Sequence, residues 1–261
     1  MQFIIAITVL VATLLGSISG IGGGVLIKPV MDAICDMTSS QISFLSGTTV
    51  LTMTIVSLLR SRKDPVKIDR RGTFLAIGAA FGGLAGKTIF DMLVQRASSS
   101  AAVSLVQNII MVILTVAVFF YILFKARVQQ KNLSNPAVCV VSGLFLGVMS
   151  SFLGIGGGPI NIMLLSYFFS METKTAALNS LYVIFFSQSV SLVSNIATGS
   201  VPSIDWWILG MMMVCAVVGA TVGRKLSSKM TDRHVDILFM GLLFVIIGIS
   251  VYNCFRFALI S

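Results

Sequence analysis

Long apolar runs are the feature of this sequence that most constrains its fold. Eight of them, each bounded by charged residues or by Pro and Gly, approach the roughly 20 residues that a helix needs to cross a bilayer. We therefore predict an all-α, polytopic membrane protein. The runs cover about residues 2–18, 40–60, 72–94, 101–125, 136–153, 175–197, 206–223 and 235–255.

Charged residues are too scarce to cover a surface that faces water. They make up 10% of the 261 residues, whereas a soluble domain carries roughly 25%. The net charge of +9 would suggest nucleic acid in a soluble protein, but the basic residues of a membrane protein gather in its cytoplasmic loops. We expect a lipid bilayer around this chain and no nucleic acid as a partner.

The sequence carries no motif for a metal, a cofactor or catalysis. The four cysteines stand singly in apolar stretches, which favours packing roles. His234 is the only histidine, so no histidine-based catalytic set can be assembled. Residues 82–88 read GGLAGKT, but Phe81 occupies the position where a nucleotide-binding loop needs glycine. We expect no cofactor, no metal and no enzymatic activity.

An internal repeat divides the chain into two similar halves. The sequence GIGGG occurs at residues 20–24 and again at residues 154–158, 134 positions later. Further matches at nearly the same spacing indicate a first unit at 1–127 and a second at 136–261, joined by a linker at 128–135. The matched pairs are Met37 with Met171, Ile68 with Ile204, Asp69 with Asp205, Gly82 with Gly219, Gly86 with Gly223 and Lys87 with Arg224.

The placement of basic residues predicts opposite orientations for the halves. Three short loops hold 13 of the 18 basic residues, and short basic loops stay in the cytoplasm. The loop near Asp69 is strongly basic, whereas residues 194–205 carry Asp205 as their only charge and are expected outside. We therefore predict an inverted-topology repeat in the cell (inner) membrane, with the N-terminus outside. The basic loops are residues 60–71, 125–131 and 224–233.

The two GIGGG stretches, called here the first and second glycine segments, are the main candidate site. Each precedes a short apolar piece, at about 25–35 and 159–170, in a hairpin or re-entrant loop. A short piece that spans the membrane fully would leave the loops on the same sides of the membrane. Unpartnered N–H groups and the positive dipole end of a helix bind anions, although glycines also simply permit close helix packing. The candidate substrate-binding glycines are Gly20, Gly22, Gly23, Gly24, Gly154, Gly156, Gly157 and Gly158.

Polar side chains near these segments could complete an anion site. Asn161 and Lys28 fall in the first turns after the segments. Thr48 and Asn179 represent a group of hydroxyls and amides on the following spans, which could instead satisfy backbone carbonyls. The other members of that group are Ser46, Thr49, Thr52, Ser180 and Gln188.

Asp32 is a candidate coupling residue. It lies four positions after Lys28, on the same helical face. Ionisable residues inside a membrane are functional candidates by default. A structural ion pair and a device for proton coupling remain equally open at this position.

The paired glycine segments resemble those of the sulfite exporter TauE/SafE family. The resemblance runs through residues 20–24 with Pro29 and 154–158 with Pro159, and covers essentially the whole chain. It implies a permease that moves sulfite, sulfoacetate or other organosulfonates, usually outward, with substrate contact at both glycine segments. We therefore predict a secondary transporter of small sulfur-containing anions that works by alternating access. An anion channel, or a permease for another small anion, is the alternative.

Overall fold

The computed structural model describes residues 2–62, 66, 68–97 and 99–259. Lys63 and Lys67 of the predicted basic loop lie outside the described residues. The described chain forms ten α-helices. They are α1 (Gln2–Ser19), α2 (Gly24–Ile34), α3 (Ser39–Ser61), α4 (Arg70–Arg96), α5 (Ser100–Phe124), α6 (Pro136–Leu153), α7 (Pro159–Phe169), α8 (Thr173–Ala197), α9 (Trp206–Ser227) and α10 (Asp232–Ala258).

The prediction of eight long apolar helices is confirmed. All ten helices except α2 and α7 have the length and hydropathy to cross a membrane, and each starts or ends within a few residues of its predicted run. The two short helices have 11 residues each. At 1.5 Å per residue they reach about 16 Å, roughly half of a hydrocarbon core.

Polar residues define where several helices begin. Asp69 accepts a hydrogen bond from the Arg71 amide at the start of α4, and Asp205 does the same for Trp207 at the start of α9. These aspartates are partners in the sequence repeat. Thr38 and Gln41 form a capping box at the start of α3. Such caps satisfy amides that lack an intrahelical acceptor.

The loops are shorter than the basic runs predicted. Arg70 already belongs to α4, and α9 continues to Ser227, so the interpretation of Arg224 as a loop residue is wrong. Its side chain is buried. Gly223, next to it, packs against the backbone of α1, where a Cβ would lie 2.5 Å from the carbonyl oxygen of Leu14. This end of α9 therefore lies within the helix packing and not in a loop.

Glycine faces bring the two halves together. Gly78, Gly82 and Gly86 of α4 lie directly against the backbone of α6, and a Cβ at Gly82 would fall 2.1 Å from the Leu144 carbonyl oxygen. Gly219 and Gly223 of α9 lie in the same way against α1. Small residues allow this close approach of helices. The fourth helix of each half therefore packs against the first helix of the other half.

Candidate functional site

The two glycine segments contact each other inside the bundle. A Cβ built on Gly24 would lie 2.4 Å from the carbonyl oxygen of Ile155, and one on Gly22 would lie 3.5 Å from that of Gly156. Both segments are buried throughout. Six of their glycines have positive φ, from 64° to 109°, a conformation that side chains with a Cβ disfavour. The glycines of each segment therefore allow the backbone to turn there and the two segments to meet.

The meeting point lies halfway along the long helices. Val50, the central residue of α3, contacts Gly24 and Gly156, and Ile184, next to the centre of α8, contacts Gly22 and Gly156. Both helices have the length of membrane spans. Irregular backbone at this depth is tolerated only where it is buried in protein or lines a cavity.

The hairpin formed by α6 and α7 begins and ends at the same level. The amides of Lys131 and Leu133, ahead of α6, donate to the carbonyls of Tyr167 and Phe168 at the end of α7, at 2.8 and 2.9 Å. Arg71 of α4 also donates to the carbonyl of Phe169, at 3.1 Å. The second glycine segment is therefore the turn of a hairpin, not a step in a continuous crossing.

Both short helices direct their N-terminal ends at the contact between the glycine segments. In α2 the backbone amides of Leu26 and Ile27 donate to the Gly23 carbonyl at 3.1 and 3.0 Å. The backbone amides of Gly24 and Val25 come before this first hydrogen-bonded turn of the helix. In α7 the backbone amide of Asn161 donates to the carbonyl of Gly158 at 3.3 Å. Two such ends concentrate partial positive charge in a region of low dielectric.

Asn161 lies against the second glycine segment. A Cβ at Gly157 would fall 2.5 Å from its Nδ2. The residue is fully buried, and neither its Nδ2 nor its Oδ1 has a hydrogen-bond partner among the described residues. A buried amide without partners is costly. Asn161 therefore offers both a donor and an acceptor beside an electropositive helix end.

Lys28 and Asp32 form a buried ion pair on α2. Their side chains are 2% and 1% exposed, and Lys28 Nζ lies 3.7 Å from Asp32 Oδ2. Asn108 of α5 donates to the same oxygen at 3.1 Å. Asn253 of α10 donates to the Pro29 carbonyl at 2.8 Å and to Asn108 Oδ1 at 3.3 Å. The ion pair thus joins a polar network across three helices.

Sequence reasoning missed Asn108 and Asn253. Each lies within a predicted span, at 101–125 and 235–255, and neither lies near a glycine segment in the sequence. That placement is the available signal, because a polar amide inside a span needs a partner. Hydropathy does not reveal which partner a fold will supply.

The other polar candidates on α3 and α8 either lie away from the contact between the two glycine segments or form hydrogen bonds to backbone carbonyls. Asn179 accepts from the Asp69 amide at 3.2 Å and donates to the Thr175 carbonyl at 2.8 Å, which places it at the start of α4. Thr48 is half-buried and lines a cleft between α3 and α8. Thr49 and Thr52 bond to carbonyls one turn back on α3.

Two other candidates from the sequence make contacts between helices. The Ser180 hydroxyl donates to the Gly20 carbonyl at 2.7 Å, which ties α8 to the first glycine segment. Gln188 donates to the Ser150 hydroxyl at 3.0 Å, which ties α8 to α6. Of these two, Ser180 lies at the candidate site.

Eight long apolar helices around two buried glycine segments define a multi-pass α-helical membrane protein. Residues 4–250 match the family model described as sulfite exporter TauE/SafE. The chain belongs to this family of membrane transporters, which confirms the resemblance inferred from the sequence. A small-molecule substrate and a lipid bilayer are the partners that membership implies.

Two known proteins are similar to this chain. The probable membrane transporter protein YunE of Bacillus subtilis (strain 168) is 21% identical over 276 residues, which cover 95% of this chain and 96% of YunE. The probable membrane transporter protein MamO of Magnetospirillum gryphiswaldense is 32% identical over 97 residues, which cover 37% of this chain and 15% of MamO. No solved structure matches the chain.

Proposed function

We propose that this transporter carries small sulfur-containing anions, such as sulfite or organosulfonates, out of the cell. The observation that supports this most directly is the contact between the two glycine segments. Each segment leads into the N-terminal end of a short helix, where the helix dipole is positive. The side-chain amide of Asn161, which has no hydrogen-bond partner in the described part of the chain, adds an uncharged donor beside the second segment. Lys28, one turn into α2, supplies positive charge. The family's name points to sulfite as the first anion to try.

The proposed mechanism is alternating access by two inverted halves, residues 1–127 and 136–261, with 128–135 as a cytoplasmic linker. Packing of the fourth helix of each half on the first helix of the other supports this proposal. So does the position of the segment contact halfway along α3 and α8. In such transporters the halves rock about a site near the midplane. The basic segments 60–71, 125–131 and 224–233 then face the cytoplasm, and the membrane is the inner one.

Asp32 is the proposed coupling residue. Its carboxylate neutralises Lys28 when no anion is bound, and proton uptake by Asp32 would release Lys28 toward an incoming anion. Arg256 of α10 faces the same end of α2 but donates to the carbonyls of Asp32 and Ala33, both at 2.7 Å. It also pairs with the exposed Asp36, at 3.8 Å. From α5, the group facing the carboxylate is the uncharged Asn108.

Transport by purified protein in liposomes tests the proposed function. Sulfite flux should saturate and should run uphill when a second gradient drives it, whereas a channel would only dissipate the sulfite gradient. Replacing Gly23 and Gly157 by Leu should abolish flux because both sites are enclosed. Gly241→Leu with Gly248→Leu is the matched control, since a Cβ at either position meets nothing within 4 Å. Normal flux in the first double variant would contradict the site assignment.

A further inference from the structure

A small polar cavity lies beside the second glycine segment, and its charged residues take no part in the site described above. It has a volume of about 50 Å³ and is open on one side, which is room for a few water molecules or one small oxyanion. Gly154 forms part of its wall, and a second polar pocket continues it along α3 and α8 as far as Thr48. The cavity therefore leads from the surface to the glycine segment.

Lys87 supplies the positive charge of this cavity. The residue is only 7% exposed, and α4 holds it between α6 and α8, where Gly86 and Gly83 lie against the backbones of those helices. Its ammonium pairs with Asp91, one turn further along α4, whose side chain is 34% exposed. Of the described residues that line the cavity, Lys87 and Asp91 carry the only charges.

Two hydroxyls in the cavity wall have no hydrogen-bond partner among the described residues. They belong to Ser43 of α3 and Ser151 of α6, and both oxygens are buried. Ser43 Oγ lies 2.8 Å from the position of a Cβ on Gly154, so this donor borders the glycine segment directly. Together with an ammonium that lines the same cavity, such hydroxyls are the groups that an oxyanion requires.

We infer that Lys87, Ser43 and Ser151 form a second anion subsite, in which a small oxyanion binds between the surface and the second glycine segment. This inference rests on the proposed function. Asp91 is the counter-ion that the anion replaces, so Lys87 is never left unpaired during passage. In the proposed topology, the start of α3 and the end of α8 place this subsite on the outer side.

The test measures initial sulfite flux in liposomes, with sulfite supplied from the side to which the cavity opens. Lys87→Gln should raise KM about tenfold or more with kcat within about twofold, because the subsite contributes binding and not the conformational step. Lys87→Arg, which keeps the charge, should stay within about threefold of the wild-type KM. Asp91→Asn should lower KM about threefold or more, because it removes the competing carboxylate.

Arg96→Gln is the matched control, since Arg96 is an exposed cation at the end of the same helix. A KM for Lys87→Gln within twofold of wild type, or an equal rise in Arg96→Gln, would overturn the subsite. If Lys87→Gln does not fold, the KM of Asp91→Asn for sulfite is the test, and a value equal to that of the wild type overturns the inference. A wild-type protein that carries no sulfite refutes the proposed function itself, whereas wild-type flux with an insensitive Lys87 refutes only the subsite.

Discussion

The hydroxyl of Ser180 donates a hydrogen bond to the carbonyl oxygen of Gly20, at 2.7 Å, across the boundary between the two sequence repeats. Both groups are buried. Gly20 begins the first glycine segment, and a Cβ there would lie 2.3 Å from Cα of Ala177 on α8. The segment of one half is thus held in position by a long helix of the other.

Ser180→Ala should destabilise the protein and reduce transport together. The change leaves the buried Gly20 carbonyl without its donor, which costs about 1–3 kcal/mol. A fall in the melting temperature of purified protein and a lower kcat would show this. Ser228→Ala is the control, because its exposed hydroxyl donates to a carbonyl three residues back on α9 and to no other group of the described chain. Equal melting temperatures for wild type and Ser180→Ala would contradict the structural role of this hydrogen bond.

Asn161→Leu should impair anion binding without a loss of stability. The side chain has no hydrogen bond to lose among the described residues, so an apolar replacement of similar volume should leave the melting temperature unchanged or raise it. A missing hydrogen bond to a charged ligand should raise the KM for sulfite about tenfold or more. A raised KM together with a melting temperature that does not fall would show that Asn161 binds the ligand and does not serve packing.

Asn253→Leu provides the matched comparison for Asn161. It makes the same chemical change at a buried amide that does donate to the protein, at 2.8 Å to the Pro29 carbonyl. We expect this variant to lose stability. If Asn161→Leu is the more destabilised of the two, its assignment to substrate binding is wrong.

Removing one member of the Lys28–Asp32 pair should destabilise the protein more than removing both. Lys28→Met and Asp32→Asn each leave a buried charge uncompensated, at a cost of about 3–5 kcal/mol. For a domain of this size that lowers the melting temperature by about 6–20 °C. The double variant should recover most of the loss, and thermal unfolding of the four proteins measures it. Additive losses would show that the two groups do not interact.

The coupling proposal for Asp32 has a separate measurement. Wild-type flux should depend on an imposed pH gradient, and Asp32→Asn should remove that dependence while some downhill flux remains. Dividing each flux by the amount of folded protein in the liposomes controls for the loss of stability in the variant. A pH response identical to wild type in Asp32→Asn would leave the ion pair with a structural role only.

Asp69 should make part of the stability dependent on acid pH. Its side-chain hydrogen bonds and ion pair with Arg71 lower the pKa of the Asp69 carboxyl below its ordinary value. Because the folded pKa is the lower one, this stabilisation is complete above the ordinary aspartate pKa of about 3.9 and is lost as the pH falls through the folded value. Between pH 5 and pH 3 the wild type should lose about 1–3 °C more than Asp69→Asn. Asparagine keeps the helix cap, so the comparison isolates the charge.

Much of this fold follows from the sequence. Span positions depend on the free energy of placing apolar side chains in hydrocarbon, which hydropathy records directly. The sequence predicts the glycine segments for a similar reason, since repeated glycines between apolar spans mark backbone that departs from a regular helix. Asn161 followed from its position in the first turn after such a segment.

Only the tertiary structure decided which buried polar groups meet. Lipid chains are as apolar as a helix interface, so a run of leucine, valine and phenylalanine does not distinguish the face that meets lipid from the face that meets another helix. For that reason the sequence predicts neither the contact of Asn108 with Asp32 nor the place of Lys87 in a cavity, and Asn179 lies at the start of α4 and not at the glycine segments. The sequence determined that two glycine segments exist at equivalent positions of the repeat. Packing of α3 and α8 around them, through Val50 and Ile184, determined that they touch.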